Sequence, residues 1–199
     1  GFGGGHLRVR GGGTLVLTST NNYTGTAIDA STLQIGASGM TGTLGTGTVT
    51  LTNDGRLDFN RDGTLAVANT ITGTGSVRQL GPGTLELTGN NDYSGGTTIA
   101  GGTLSISADH NIGAASGALA LHGGRLQTTG AFGRTRTVDL AGNGAFQVDG
   151  PTLTLGGTVG GSGNLVKDGV GTLILAAANS YAGTTTVMDG PLQLANGGK

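Results

Sequence analysis

Apolar and polar positions alternate with a period of two, in short bursts, along nearly the whole chain. Most bursts open on a glycine, then any residue, then an aliphatic side chain. Gly13-Thr14-Leu15, Gly55-Arg56-Leu57, Gly83-Thr84-Leu85, Gly124-Arg125-Leu126 and Gly171-Thr172-Leu173 are examples, and the alternation runs on in Leu85-Glu86-Leu87. Such patterning, rich in Thr, Val, Ile and Leu and bounded by Gly or Asn, predicts short strands with alternate residues facing a core. No segment combines a helical period with a capping residue, so the pattern predicts an all-β chain with essentially no helix.

The strands belong to a longer unit that is written three times. Residues 11–35 read GGGTLVLTSTNNYTGTAIDASTLQI, residues 81–106 read GPGTLELTGNNDYSGGTTIAGGTLSI, and residues 169–194 read GVGTLILAAANSYAGTTTVMDGPLQL. All three tyrosines, Tyr23, Tyr93 and Tyr181, occupy one place in this unit. Self-similarity at long intervals marks solenoids, propellers or arrays. The tyrosines lie 70 and 88 residues apart. Those intervals fit three and four coils of about 22–23 residues, and fit propeller blades of about 40–45 residues poorly. The expected fold is a single elongated parallel β-helix over 1–199, with about nine coils and a length of ~40 Å at ~4.8 Å per coil.

Whole-number spacing places the three tyrosines on one edge, roughly 14 Å and 19 Å apart along the axis. Leu15/Leu17, Leu85/Leu87 and Leu173/Leu175 are expected to stack as inward ladders, each buried leucine contributing roughly 1.5–3 kcal/mol. Asn21, Asn91 and Asn179, each two residues before a tyrosine, suit left-handed corners, which Asn and Gly tolerate.

Composition narrows the class further. The chain has 199 residues with 44 Gly, 3 Pro, no Cys and no Trp, and only 11% of it is charged. Low charge with many β-branched residues argues against disorder, and glycine without a Gly-X-Y period excludes collagen. A net charge of −1 gives no reason to expect nucleic acid as a partner. Without cysteine there are no disulfides, no thiolate zinc site and no thiol chemistry. Both ends fall inside the pattern, since Gly5-His6-Leu7-Arg8 aligns with Gly75-Ser76-Val77-Arg78, so a fragment is expected.

The tripled unit resembles the passenger-associated transport repeat, or autotransporter-associated β-strand repeat, of type V secreted proteins. The second copy carries the pattern best: Gly81-Pro82-Gly83-Thr84-Leu85-Glu86-Leu87, then Asn91-Asp92-Tyr93-Ser94-Gly95, then Thr97-Thr98-Ile99 and Gly102-Thr103-Leu104. The first departs at Ala30-Ser31-Thr32-Leu33, and the third at Ala176-Ala177 and Pro191. The resemblance implies a right-handed parallel β-helix in an autotransporter passenger, at the surface of a Gram-negative cell or secreted from it. It implies help in crossing the outer membrane and folding there, with the parent's own C-terminal outer-membrane β-barrel as partner. The expected function is a non-catalytic stem that displays a functional region. An adhesin or self-association module, meeting a host surface or like passenger chains, is one alternative; a carbohydrate-active β-helix is the other.

Candidate chemistry is sparse, and no catalytic, cofactor-binding or metal-binding residue is assigned. Asp58-Phe59-Asn60-Arg61-Asp62-Gly63 matches the first half of a calcium loop, but position twelve is Asn69 where a bidentate carboxylate is needed. The competing reading is a strand with Leu57 and Phe59 inward and Asp58 and Asn60 outward. Gly160-Gly161-Ser162-Gly163-Asn164-Leu165 fails as a calcium nonapeptide because Leu165 stands where Asp is needed. Asn53-Asp54 and His122-Gly123 faintly suggest pectin-degrading hydrolases but fall about three coils apart. His6 and His110 have no acidic or Ser partner at a recognisable spacing. Arg134 and Arg136 read as an exposed strand. The tyrosines read as structural corners rather than as a sugar-binding stripe.

Overall fold

The computed structural model describes residues 4–195. Among them are 23 strands and one short 3-10 turn, Asp109–Ile112. The strands stack coil on coil in parallel ladders, for example Thr64–Val67 under Thr84–Leu87 under Thr103–Ile106. One face is a continuous eight-stranded sheet and a second a seven-stranded sheet. The third face carries a four-stranded sheet at each end. Irregular rungs carry on from the early one: Asp92 N–H donates to the Ile71 carbonyl at 3.0 Å, and Ala114 N–H to the Tyr93 carbonyl at 2.9 Å. The chain is a parallel β-helix of about nine coils, as the alternation predicted.

The coil is shorter than the repeat spacing implied. Seven rungs along the eight-stranded sheet carry Leu15 to Val159, 144 residues or about 20.6 per coil. Intervals of 70 and 88 residues are therefore three coils plus one face and four coils plus one face. The three tyrosines do not share an edge. The opening strand of the first copy, Thr14–Leu17, lies in the eight-stranded sheet; that of the second, Thr84–Leu87, lies in the seven-stranded sheet; that of the third, Thr172–Leu175, lies on the third face. The motif turns by one face with each copy.

The inward ladders form as expected for Leu85, Leu87, Leu173 and Leu175, which are all buried. Leu17 is buried too, while Leu15, on the outermost rung of its sheet with Leu33 as its one ladder partner, stays 36% exposed. The glycine before the second and third of these strands serves close packing rather than a left-handed turn, while Gly13, at the outermost rung, meets nothing within 4 Å. A Cβ on Gly171 would sit 1.9 Å from the carbonyl oxygen of Gly150, and one on Gly83 would sit 2.2 Å from that of Gly63. Corners of successive coils thus meet backbone to backbone, and a side chain there would hold them apart.

Candidate functional site

The repeated motif is one closed coil. In the second copy Thr84–Leu87 leads through the Asn91-Asp92-Tyr93 corner to Thr97–Ile99, and Thr103–Ile106 then returns to stack on the opening strand, pairing Leu85 with Leu104. The first copy closes in the same way, Leu15 on Leu33, and the third closes Leu173 on Leu192. The chain must turn sharply three times per coil, and each turn leaves backbone groups without a ladder partner.

Side chains directed inward at the corners supply those partners. Asn91 is 4% exposed; its Oδ1 accepts from the Ile71 N–H at 2.7 Å, and its Nδ2 donates to the Asn111 carbonyl at 2.6 Å. Asn179 repeats half of this, with Oδ1 accepting from the Val159 N–H at 2.9 Å. Asn21 Nδ2 donates to the Ser19 and Thr43 carbonyls at 2.8 and 3.0 Å. None of the three has a positive φ; among the described residues that conformation falls to Ala30, Ser38, Asn53 and Asp54 outside glycine. The left-handed-corner expectation for these asparagines is thus corrected: they are hydrogen-bonding pins between coils. Two residues on, Tyr23 and Tyr93 are buried and Tyr181 half-buried. The Tyr93 hydroxyl bonds Thr97 Oγ1 at 2.7 Å, and that of Tyr181 bonds Thr185 Oγ1 at 2.5 Å. Burial holds the Tyr93 phenol well above its ordinary pKa. Tyrosines that follow strands on three different faces form no aromatic stripe.

Two cations enter the interior. The strand reading for Arg134 and Arg136 fails for Arg136, which is 4% exposed rather than solvated. Its guanidinium spans both oxygens of Asp109, at 3.3 and 3.2 Å, and donates to the carbonyls of Gly113 at 3.1 Å, Ala114 at 3.0 Å and Gly117. The side chain of Arg134 lies outside the described part. Lys167 stands in an apolar ladder between Phe146 and Val187. Its ammonium donates to the carbonyls of Asp168, Gly169 and Asp189 at 3.0, 2.6 and 2.9 Å. Loss of hydration pulls its pKa down, opposed by the charges of Asp189, Asp168 and Asp149. The alternation Leu165-x-Lys167 carried the signal for an inward lysine; nothing local marked Arg136.

The remaining candidates are dispersed. Leu57 and Phe59 face inward, as the strand reading required. Asp58 lies on the outer side yet is only 2% exposed, because Arg78 grips both its oxygens, with Nε on Oδ1 at 2.7 Å, and Arg56 lies 3.5 Å away. That bond raises the Arg78 pKa. Asn60 Oδ1 already accepts from Ser38 Oγ at 3.3 Å, so the calcium-like stretch has two of its three ligand oxygens engaged. Among the described residues, no three His, Cys, Asp or Glu side chains gather as a metal site. Asn53-Asp54 follows a strand of the third face, and His122-Gly123 one of the eight-stranded sheet, so they lie on different corners. His122 instead meets Asp139 at 3.1 Å, an exposed pair that its 17-residue separation concealed. Arg125 ties Gln147 and Asp168 at 2.8 and 2.7 Å along the seven-stranded sheet, and this bond holds the Asp168 carboxyl below its usual range.

The Passenger-associated-transport-repeat family model matches residues 7–35, 77–106 and 165–194. The chain is 39% identical over 162 residues to the "Adhesin BmaC autotransporter" of Brucella suis biovar 1 (strain 1330). That match covers 80% of the chain and 4% of the relative's length. No solved structure shows significant similarity. A coil that closes on itself three times, at the three segments the family model matches, belongs to a recognised class: the chain is a member of the autotransporter passengers that carry passenger-associated transport repeats.

Proposed function

We propose that the chain is a non-catalytic β-helical stem that supports passage across the outer membrane, folds as it emerges, and displays a functional region of the parent protein. Family membership makes it a cell-surface or secreted protein of a Gram-negative bacterium. The parent's own outer-membrane β-barrel is the partner this role calls for.

One observation carries the reading. Each matched segment holds both members of two ladders. In 77–106, Val77 pairs with Thr97 and Leu85 with Leu104. In 7–35, Leu7 pairs with Thr26 and Leu15 with Leu33; in 165–194, Leu165 pairs with Thr185 and Leu173 with Leu192. Parallel strands normally wait for a distant partner, and long loop closure slows them. Here about thirty residues of emerging chain already contain two complete rungs. Later coils then add to a finished edge, one neighbour at a time.

The non-catalytic part rests on the acids. A glycosidase needs two available carboxylates at a fixed separation. Five of the eleven acids are engaged by arginine, by histidine or by a Thr–Asn pair: Asp58, Asp109 and Asp168 are each held by an arginine, Asp139 by His122, and Asp29 by Thr52 and Asn53. An adhesive role is the second reading, favoured by the name of the Brucella relative.

The test is deletion of residues 81–106 from the full-length parent. These 26 residues are one coil plus one strand, so their loss removes a closed coil and puts the rest out of phase. Less passenger should reach the surface, and more protease-sensitive chain should collect in the periplasm. Undiminished display with full protease resistance would overturn the proposal.

A further inference from the structure

The third face of the first coils carries a trough that a stem does not require. Its floor is Gly25 and Ala27. One wall is His6 and Arg8 from the rung before, the other Thr48 and Thr50 from the rung after, and the cavity between them measures about 260 Å3. The walls are two rungs apart, ~10 Å. The His6 ring folds over the floor: a Cβ on Gly25 would sit 2.5 Å from its Nδ1. Beyond Thr50 the hydroxyl surface continues through its ladder partner Thr72.

Charge on this face is unbalanced. Arg56, Arg61, Arg78, Arg125 and Arg136 all have acidic or carbonyl partners. Arg8 and Arg10, alternate residues of one strand, are both exposed and, among the described residues, have no ion-pair or hydrogen-bond partner; Arg8 is the one that lines the trough. The acid nearest in register, Asp29, is taken by Thr52 Oγ1 at 3.1 Å and Asn53 Nδ2 at 2.7 Å.

We propose that this trough binds one anionic sugar residue of a glycan, with its carboxylate or sulfate ester on the Arg8 guanidinium and its ring hydroxyls on Thr48 and Thr50. A guanidinium offers a planar fork that fits such an anion. Threonine hydroxyls both donate and accept, which ring hydroxyls need. The short Ala27 side chain, beside the His6 ring that covers Gly25, leaves room for the sugar ring. His6 is the one ring in the trough on which a base would stack, and Arg8 and Arg10 on a chain of net charge −1 are too little charge for a phosphate backbone.

The test is NMR titration of the 199-residue chain with tetragalacturonate, a heparin-derived sulfated tetrasaccharide and a neutral galactan tetrasaccharide. At least one anionic sugar should bind and shift the amides of Gly25, Thr48 and Thr50. The neutral sugar should bind about tenfold more weakly or worse, as loss of a charge-assisted hydrogen bond predicts. The ranking of uronate against sulfated sugar identifies which anion Arg8 receives. Arg8→Gln should weaken binding by about the same factor, and Ala27→Leu should block the trough without changing charge. Circular dichroism of both variants checks that the coil persists; should Arg8→Gln unfold it, the shift map and Ala27→Leu decide. Equal binding of the neutral sugar, shifts elsewhere, binding unchanged in a folded variant, or no binding by either anionic sugar would overturn the proposal.

Discussion

Replacing Asn91 with glycine separates two accounts of the same corner. If asparagine served a left-handed turn, glycine would be accepted or preferred. The structure gives Asn91 a different task, since its amide accepts from Ile71 N–H and donates to the Asn111 carbonyl inside the coil. Asn91→Gly strips both buried groups of their partners, at about 1–3 kcal/mol each. A loss of about 3 kcal/mol is expected, and for a chain of this size that lowers Tm by about 6–12 °C. Asn53→Gly is the control: Asn53 has φ of 48° and is exposed, so easing the backbone offsets the lost bond to Asp29 and stability should move by no more than about 0.5 kcal/mol. Thermal melts by circular dichroism measure both variants. Hydrogen exchange adds a local reading, because the Ile71 amide should exchange faster in Asn91→Gly alone. Equal stability of the two variants, with Ile71 protection intact, would refute the pin.

Four further outcomes follow from the same geometry. Arg136→Met removes one partner of a buried ion pair and should cost about 3–5 kcal/mol; a melt within about 1 kcal/mol of the parent would show the guanidinium dispensable. Arg125→Gln should raise the Asp168 pKa toward the ordinary ~3.9, read by carboxyl-carbon NMR. Because the folded pKa is depressed, this pair stabilises above the usual carboxylate range and stops doing so as pH falls through the folded value, so the variant should lose the difference at neutral pH but not in strong acid. EDTA should leave Tm unchanged, since Arg78 occupies Asp58; a calcium-dependent rise abolished by Asp58→Ala would show that the loop binds the ion. Excising residues 84–102 should leave a folded solenoid, because Thr103 takes the rung of Thr84, whereas excising 84–93 should not fold to the same circular dichroism spectrum.

Alternation made the fold class legible, and Leu85, Leu87, Leu173, Leu175, Leu57 and Phe59 face inward where a period of two put them. The phase of the repeat was not legible. Spacings of 70 and 88 residues suit whole coils of 22–23 residues, and equally suit coils of about 20.6 with one face left over. An error of about two residues per coil, carried over three or four coils, amounts to one face. Only the ladder pairings separate these cases. The asparagine pins were hidden for a related reason: Ile71 and Asn91 lie one coil apart, and no local pattern reveals what sits beneath a corner. Arg136 was misread because alternation with Arg134 looked like a solvated strand, while its acid, Asp109, lies 27 residues earlier.

The extra face between copies has a physical consequence. Were the motif repeated at whole coils, its pins and closed rungs would all line one side, and the other two faces would depend on strands with no such support. Advancing by one face, the three copies close a rung first in the eight-stranded sheet, then in the seven-stranded sheet, then on the third face. Asn21, Asn91 and Asn179 likewise follow opening strands on three different faces. Stability in a solenoid is a sum over neighbouring coils, so a fault on one face propagates only as far as the next well-anchored rung. Spreading anchors over all three faces limits that distance in every direction around the axis. It also gives any stretch of a few coils its own closed starting point, as an emerging chain that cannot wait for its distant end requires.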